Sequence, residues 1–307
     1  MVADRADKAN NLGTVTVLGM GLMGAPMALK LAAAGYRVTI WNRTPDKSQA
    51  VQTENSEIAI APTVAEAIAA SDVILAMLSD YAALKATLLV DDALAEVGGK
   101  TVIQMGTIAP QETQAIAEGI NGAGGDYLEA TVLGSIPQVK TGTLLVMVGG
   151  TAEQFEAHLS LLKIFGPEPL LVGPVGSSAA LKLALNQLIA SLTSGFAASL
   201  GMVQRAGIDL DIFMTILRDS ALYAPTFDKK LARMVDRNFA NPNFPTKHLL
   251  KDTRLFAQAA EAYGLDTTMV EAIAQVVGQT VDAGLQNEDY SALFNTVVPN
   301  PEQTKNP

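Results

Sequence analysis

Residues 14–35 read TVTVLGMGLMGAPMALKLAAAG, and the order of events along them decides the fold. Thr14 to Leu18 is apolar and β-branched, the composition of a buried strand. It runs directly into Gly19-Met20-Gly21-Leu22-Met23-Gly24, a GxGxxG turn, and then into the helix-like stretch Ala25 to Ala34, closed by Gly35. In that setting Gly19 permits the tight turn, Gly21 lets backbone amides approach a pyrophosphate, and Gly24 lets the helix pack closely on its strand. Met20, Leu22 and Met23 complete the loop, whose amides meet the anion at a helix N-terminus. Pro26 falls in the first turn, where its missing N–H costs little. A second strand, Tyr36 to Trp41, follows at the spacing a dinucleotide site requires.

That second strand ends in Asn42-Arg43-Thr44. Dinucleotide sites that select NAD carry an acid here to bind the ribose 2′-hydroxyl. No acid is present. Arg43 pairs well with a 2′-phosphate, and Asn42 and Thr44 add donors without repelling it, so the cofactor expected is NADPH/NADP+.

Short apolar runs then alternate with helical patterns. Val73–Leu78, Thr101–Gln104, Tyr127–Val132, Leu144–Val148 and Leu170–Val172 read as strands. Thr63-Val64-Ala65-Glu66 and Thr151-Ala152-Glu153-Gln154 have the capping-box form that starts a helix. After Gly173 every segment reads as helix. The expected fold is α/β: an N-terminal Rossmann doubly wound, mainly parallel sheet, then an all-α C-terminal domain joined by a long helix. The expected division is a disordered leader 1–12, a cofactor domain 13–174, a helical substrate and dimerisation domain 175–298, and a tail 299–307.

Composition narrows the chemistry. A net charge of −10 without a Lys/Arg run argues against nucleic acid or an anionic membrane as partner. The absence of cysteine and the presence of only two histidines, His158 and His248, leave no common thiolate or His-rich metal centre. No secretory signal pattern is visible at the start, and the expected location is cytoplasmic. Leu183 to Val203 is free of charge and long enough to be weighed as a membrane span. Its polar residues, Asn186, Gln187, Ser191, Thr193, Ser194 and Ser199, favour a helix buried in protein. A helix apolar on most faces needs several partners, so a homodimer or homotetramer is expected.

Lys182 is the only charged residue between Pro174 and Arg205. A buried ammonium must be paired, shifted in pKa or used in chemistry. One use is general acid catalysis: hydride addition to a carbonyl creates an alkoxide, which a positioned ammonium stabilises and protonates. Desolvation would lower the lysine pKa in the direction that role needs. Asn186 lies one turn further on the same helical face and would orient the ammonium or a substrate water. The competing reading is a snorkelling lysine at a helix end.

The chain resembles the β-hydroxyacid dehydrogenase family, which includes 3-hydroxyisobutyrate dehydrogenase and the glyoxylate/succinic semialdehyde reductases. The resemblance covers roughly residues 14–296. It rests on GMGLMGAPMA from Gly19, WNRT at Trp41, MLSD at Met77, Gly106-Thr107 with Pro110, GTL at Gly142, GPVGSSAALKLALN from Gly173 and FPTKHLLKD from Phe244. It implies that Lys182 is the acid/base, that Thr107 lies by the nicotinamide and that Lys251 contacts the cofactor. It also implies that Phe244 and Asp252 line the active site from the C-terminal domain. Met77 and Leu78 are expected on the cofactor side.

One stretch departs from that pattern. Where the family reads Asp/Glu-Ala-Pro-Val-Ser-Gly, this chain has Glu129-Ala130-Thr131-Val132-Leu133-Gly134-Ser135. Leu133 replaces the serine that helps hold a substrate carboxylate, at an expected cost of roughly 1.5–3 kcal/mol for one charge-assisted hydrogen bond. Ser135 or amides near Gly134 would compensate, or the substrate is longer or less polar. Glu129 reads as a structural acid, Asp80 as a cofactor contact or helix N-cap, and His158 as solvent-facing. His248 is placed on a helix shared with Phe244, as a supporting residue.

The expected activity is NADPH-dependent hydride transfer to a small aldehyde or keto acid, a small-molecule carbonyl substrate of the glyoxylate or semialdehyde class. Two alternatives differ in kind. In an imine reductase Leu133 fits but the Lys182 ammonium would repel an iminium. A non-catalytic NADPH-binding module is the other.

Overall fold

The computed structural model describes residues 12–299, so most of the expected leader and tail lies outside the described residues. The chain divides into two compact units between Lys182 and Leu183. The sequence placed this boundary near residue 174. The opening turns of the long helix instead belong with the first unit, because Ser178 and Ala179 bond to residues of the sheet.

The first unit is an eight-stranded sheet ordered β3-β2-β1-β4-β5-β6-β7-β8. Its strands are β1 (Thr14–Leu18), β2 (Arg37–Trp41), β3 (Ala59–Ile60), β4 (Val73–Ala76), β5 (Thr101–Gln104), β6 (Asp126–Leu133), β7 (Leu145–Gly149) and β8 (Leu170–Gly173). Pairing is parallel from β3 across to β6, antiparallel between β6 and β7, and parallel again between β7 and β8. Alternate residues feed two cores. Val17, Leu75, Ile103 and Leu128 enter one, and Leu18, Ile74, Val102 and Tyr127 the other. Burial on both faces is why these strands read as continuous apolar runs rather than alternating ones.

Helices α1 (Gly24–Ala33), α2 (Pro45–Glu54), α3 (Val64–Ala69), α4 (Tyr81–Leu88), α5 (Asp91–Leu94), α6 (Pro110–Gly122), α7 (Ile136–Thr141) and α8 (Ala152–Leu162) connect the strands. The predicted caps form. Thr63 accepts the Glu66 amide at 3.2 Å and Thr151 the Gln154 amide at 3.1 Å. Asp80 caps α4 by accepting the Ala83 amide at 2.8 Å.

The long helix α9 (Ser177–Arg205) passes from the first unit into the second. It is long and apolar enough to cross a membrane by composition alone. In the fold a stripe of Leu183, Asn186, Ala190, Phe196, Ala197 and Leu200 is buried. The second unit continues with α10 (Leu210–Asp219), α11 (Pro225–Val235), α12 (Thr246–Ala262), α13 (Thr268–Thr280) and α14 (Leu293–Val297). Its core holds Phe196 stacked on Phe227 at 4.7 Å, with Met214, Met234, Leu249 and Phe294. Beside it Lys230 pairs with the buried Asp289 at 2.8 Å and lies over the Tyr290 ring.

Candidate active site

Strand register aligns one edge of the sheet. Trp41, Leu18, Ala76, Gln104, Glu129 and Gly149 sit side by side in successive pairs. The loops carrying Gly19 to Met23, Asn42 to Thr44, Met77 and Leu78, and Thr107 all leave just beyond that row. They surround the point where the strand order reverses, between β1 and β4, which is where doubly wound sheets take ligands.

The glycine loop is built for close approach. Gly19 has φ +99°, and a Cβ there would run into the Met77 carbonyl and the Leu78 side chain. A Cβ on Gly24 would run into the Gly19 carbonyl, so the helix packs directly on the turn. Gly21 differs: a Cβ added there meets nothing within 4 Å, so its backbone faces open space. Leu78 packs against Gly19 through its side chain, and its carbonyl lies against Gly106, 2.6 Å from where a Cβ would be. That packing sets the turn holding Thr107. The open amides of a helix N-terminus fit the pyrophosphate of a dinucleotide, and Arg43 stands exposed beyond the end of β2, where no acid is present.

Asn42 has another task than donating to a phosphate. Its Oδ1 accepts the Met20 amide at 2.9 Å and its amide nitrogen donates to the Thr44 carbonyl at 2.9 Å. Asn42 therefore ties the glycine loop to the end of β2. Thr44 stands at the start of α2 and makes no side-chain cap there.

Glu129 is buried in the edge row, and its Oε1 accepts amides from the first turn of α9: Gly176 and Ser178 at 2.8 Å and Ala179 at 3.4 Å. Burial pushes its carboxyl above the ordinary range, while these amide bonds pull the other way. Its structural reading fits, and the helix it caps carries Lys182, which is half-buried one turn beyond Ser178.

β6 runs on past the edge row. Glu129, Thr131 and Leu133 alternate with Ala130 and Val132, so all three share the face that meets α9. Leu133 is half-buried and Gly134 has φ +136°, which requires glycine. Ser135 heads α7, its N–H and hydroxyl both donating to Gln138 Oε1 at 2.9 Å. Its hydrogen is thus spent locally, which leaves it a weaker stand-in for the missing serine.

In the second unit the buried Asp252 accepts from the Asn186 amide at 2.6 Å and pairs with Lys251 at 2.9 Å. Facing a carboxylate fixes the Asn186 carboxamide: nitrogen toward Asp252, oxygen as the remaining acceptor. Phe244 lies before α12 rather than on it, because the residue preceding Pro245 is held out of the helical region. It stacks with His248 at 6.3 Å and meets Tyr290 edge-on at 5.6 Å. Burial, then the charge of Lys251, holds His248 below its usual pKa. His158 is half-buried and also lowered by burial, so it is less solvent-facing than its charged helix suggested.

Residues 14–173 match the NAD binding domain of 6-phosphogluconate dehydrogenase, and residues 176–297 match the NAD-binding domain of NADP-dependent 3-hydroxyisobutyrate dehydrogenase. The chain belongs to the β-hydroxyacid dehydrogenase family. Among its relatives is the chloroplastic glyoxylate/succinic semialdehyde reductase 2 of Arabidopsis thaliana, 30% identical over 94% of this chain and 81% of that protein. The 2-hydroxy-3-oxopropionate reductase of Escherichia coli is 31% identical over 91% of this chain and 95% of that one. In three dimensions it is similar to 3-hydroxyisobutyrate dehydrogenase of Mycobacterium tuberculosis, with a TM-score of 0.84 at 22% identity, covering 93% of this chain and 99% of the other. As a member of this family it is an oxidoreductase that uses a nicotinamide dinucleotide.

Proposed function

We propose that this family member is an NADPH-dependent reductase of small aldehydes or keto acids, with Lys182 as general acid. The observation that carries the reading is the tie between Glu129 at the cofactor edge of the sheet and the first turn of α9, one turn before Lys182. NADPH, when bound, supplies the hydride. Lys182 stabilises negative charge developing on the substrate oxygen and gives it a proton. Asn186, oriented by Asp252, presents its oxygen as acceptor on the lysine-bearing helix. Thr107 is read as a neighbour of the nicotinamide, and Lys251 as a cofactor contact. Leu133 and Gly134 are read as substrate-side residues of the first unit and Phe244 as one of the second, and Leu133 favours a carbonyl compound with a hydrocarbon segment over a compact dianion. Self-association of the helical unit and a cytoplasmic location belong to the same reading.

NADPH and NADH oxidation measured with glyoxylate, succinic semialdehyde and a cyclic imine tests it. Turnover is expected with an aldehyde and NADPH, and exclusive turnover of the imine overturns it. Lys182→Ala should keep NADPH binding and lose roughly a hundredfold or more of kcat, the usual weight of one positioned acid. Arg43→Ala should raise KM for NADPH about tenfold and leave KM for NADH nearly unchanged.

A further inference from the structure

We propose that Thr131 and Ser178, with Glu129, form a latch between β6 and α9 that positions Lys182. Thr131 stands where the family pattern has proline, which has no N–H to donate. Here its amide donates to Ser178 Oγ at 3.2 Å. The Ser178 hydroxyl in turn donates to the Met147 carbonyl at 2.7 Å. Met147 is the residue paired with Thr131 across β6 and β7. One hydroxyl from the first turn of α9 thus bridges an amide and a carbonyl of two facing strands. The Thr131 hydroxyl lies 2.7 Å from that same oxygen and 3.2 Å from the Ser178 carbonyl, so its hydrogen is shared between them.

Both hydroxyl residues are buried, so these bonds are sheltered from competing water. Glu129 sits two residues before Thr131 on the same face and takes the amides of the same helical turn. Room for its carboxylate comes from the residue opposite, where any Cβ on Gly149 would collide with it. Three side chains therefore fix the start of α9 in translation and in rotation. Lys182 follows Ser178 by four positions on a continuous helix, so its Nζ is aimed by the latch. These are positioning residues, and the inference rests on Lys182 being the acid.

The test uses Thr131→Val, Thr131→Ser and Ser178→Ala in the whole enzyme, assayed well below each measured Tm with the aldehyde that turns over. Thr131→Val and Ser178→Ala should lose about tenfold or more in kcat, as expected for a misplaced catalytic group, with the NADPH Kd from fluorescence within about twofold of wild type. Thr131→Ser, which keeps the hydroxyl, should restore kcat. Wild-type kcat in both Thr131→Val and Ser178→Ala overturns the latch, whatever happens to Tm. Lys182→Ala separates the two readings: if it is inactive while the latch variants are normal, only the latch falls, and if it turns over normally, the acid assignment falls and the latch with it.

Discussion

Asn42 shows how much a single side chain's meaning depends on what surrounds it. Its position after β2 marks it as a cofactor residue in sequence, yet both functional groups of its carboxamide are spent on the Met20 amide and the Thr44 carbonyl. Asn42→Ala should therefore loosen the glycine loop, raising the NADPH KM about tenfold for roughly 1–1.5 kcal/mol of lost hydrogen bonding, with kcat nearly unchanged. Leu133→Ser should act oppositely on substrate, lowering KM for carboxylate-bearing aldehydes about tenfold or more, read from initial rates against a substrate lacking the carboxylate. The glycines and Lys182 were legible because each stands out against its neighbours in composition. Thr131 and Ser178 were not, since two hydroxyl residues 47 positions apart leave no local signal of their bond. Phe244 was placed on a helix because its spacing to His248 suits one, and Pro245 overrides that spacing.

Strands and helices followed from sequence where burial was continuous or a cap was present. β3 did not, because two residues at a sheet edge show no periodicity. α7 did not either, being six residues with a proline in the first turn, directly after the strand signal of β6. The most instructive element is α9, whose apolar composition serves a buried stripe and also leaves Leu188 57% and Met202 76% exposed. Ile212 and Ile216 of α10 are similarly exposed, at 58% and 65%. Exposed apolar residues on this scale are the expectation behind self-association. Leu188→Glu with Ile216→Glu should shift the sedimentation coefficient toward that of the 32.1 kDa chain, and no change would remove the helical unit's proposed role.

At the scale of the molecule the two histidines set one pH response. Each is held below its ordinary value of 6.5, chiefly by burial. The unfolded chain therefore takes up protons first as pH falls through 6.5, and stability drops from there down to the folded values, with no contribution above that window. Replacing both with Asn should flatten the fall of Tm below pH 6.5, read as the difference between Tm at pH 6.5 and at lower pH in each protein. The doubly wound, mainly parallel sheet is anticipated by the strand and turn pattern. The reversal at β7 was not, since pairing direction leaves no mark on a short apolar run. That reversal gives β6 a partner beyond the edge row and makes its outer half a true strand with strict alternation. An insertion or deletion of one residue between Glu129 and Leu133 would swap every side chain there to the opposite face. Homologues should therefore hold the length of this segment fixed, or change it in steps of two, even where individual side chains differ.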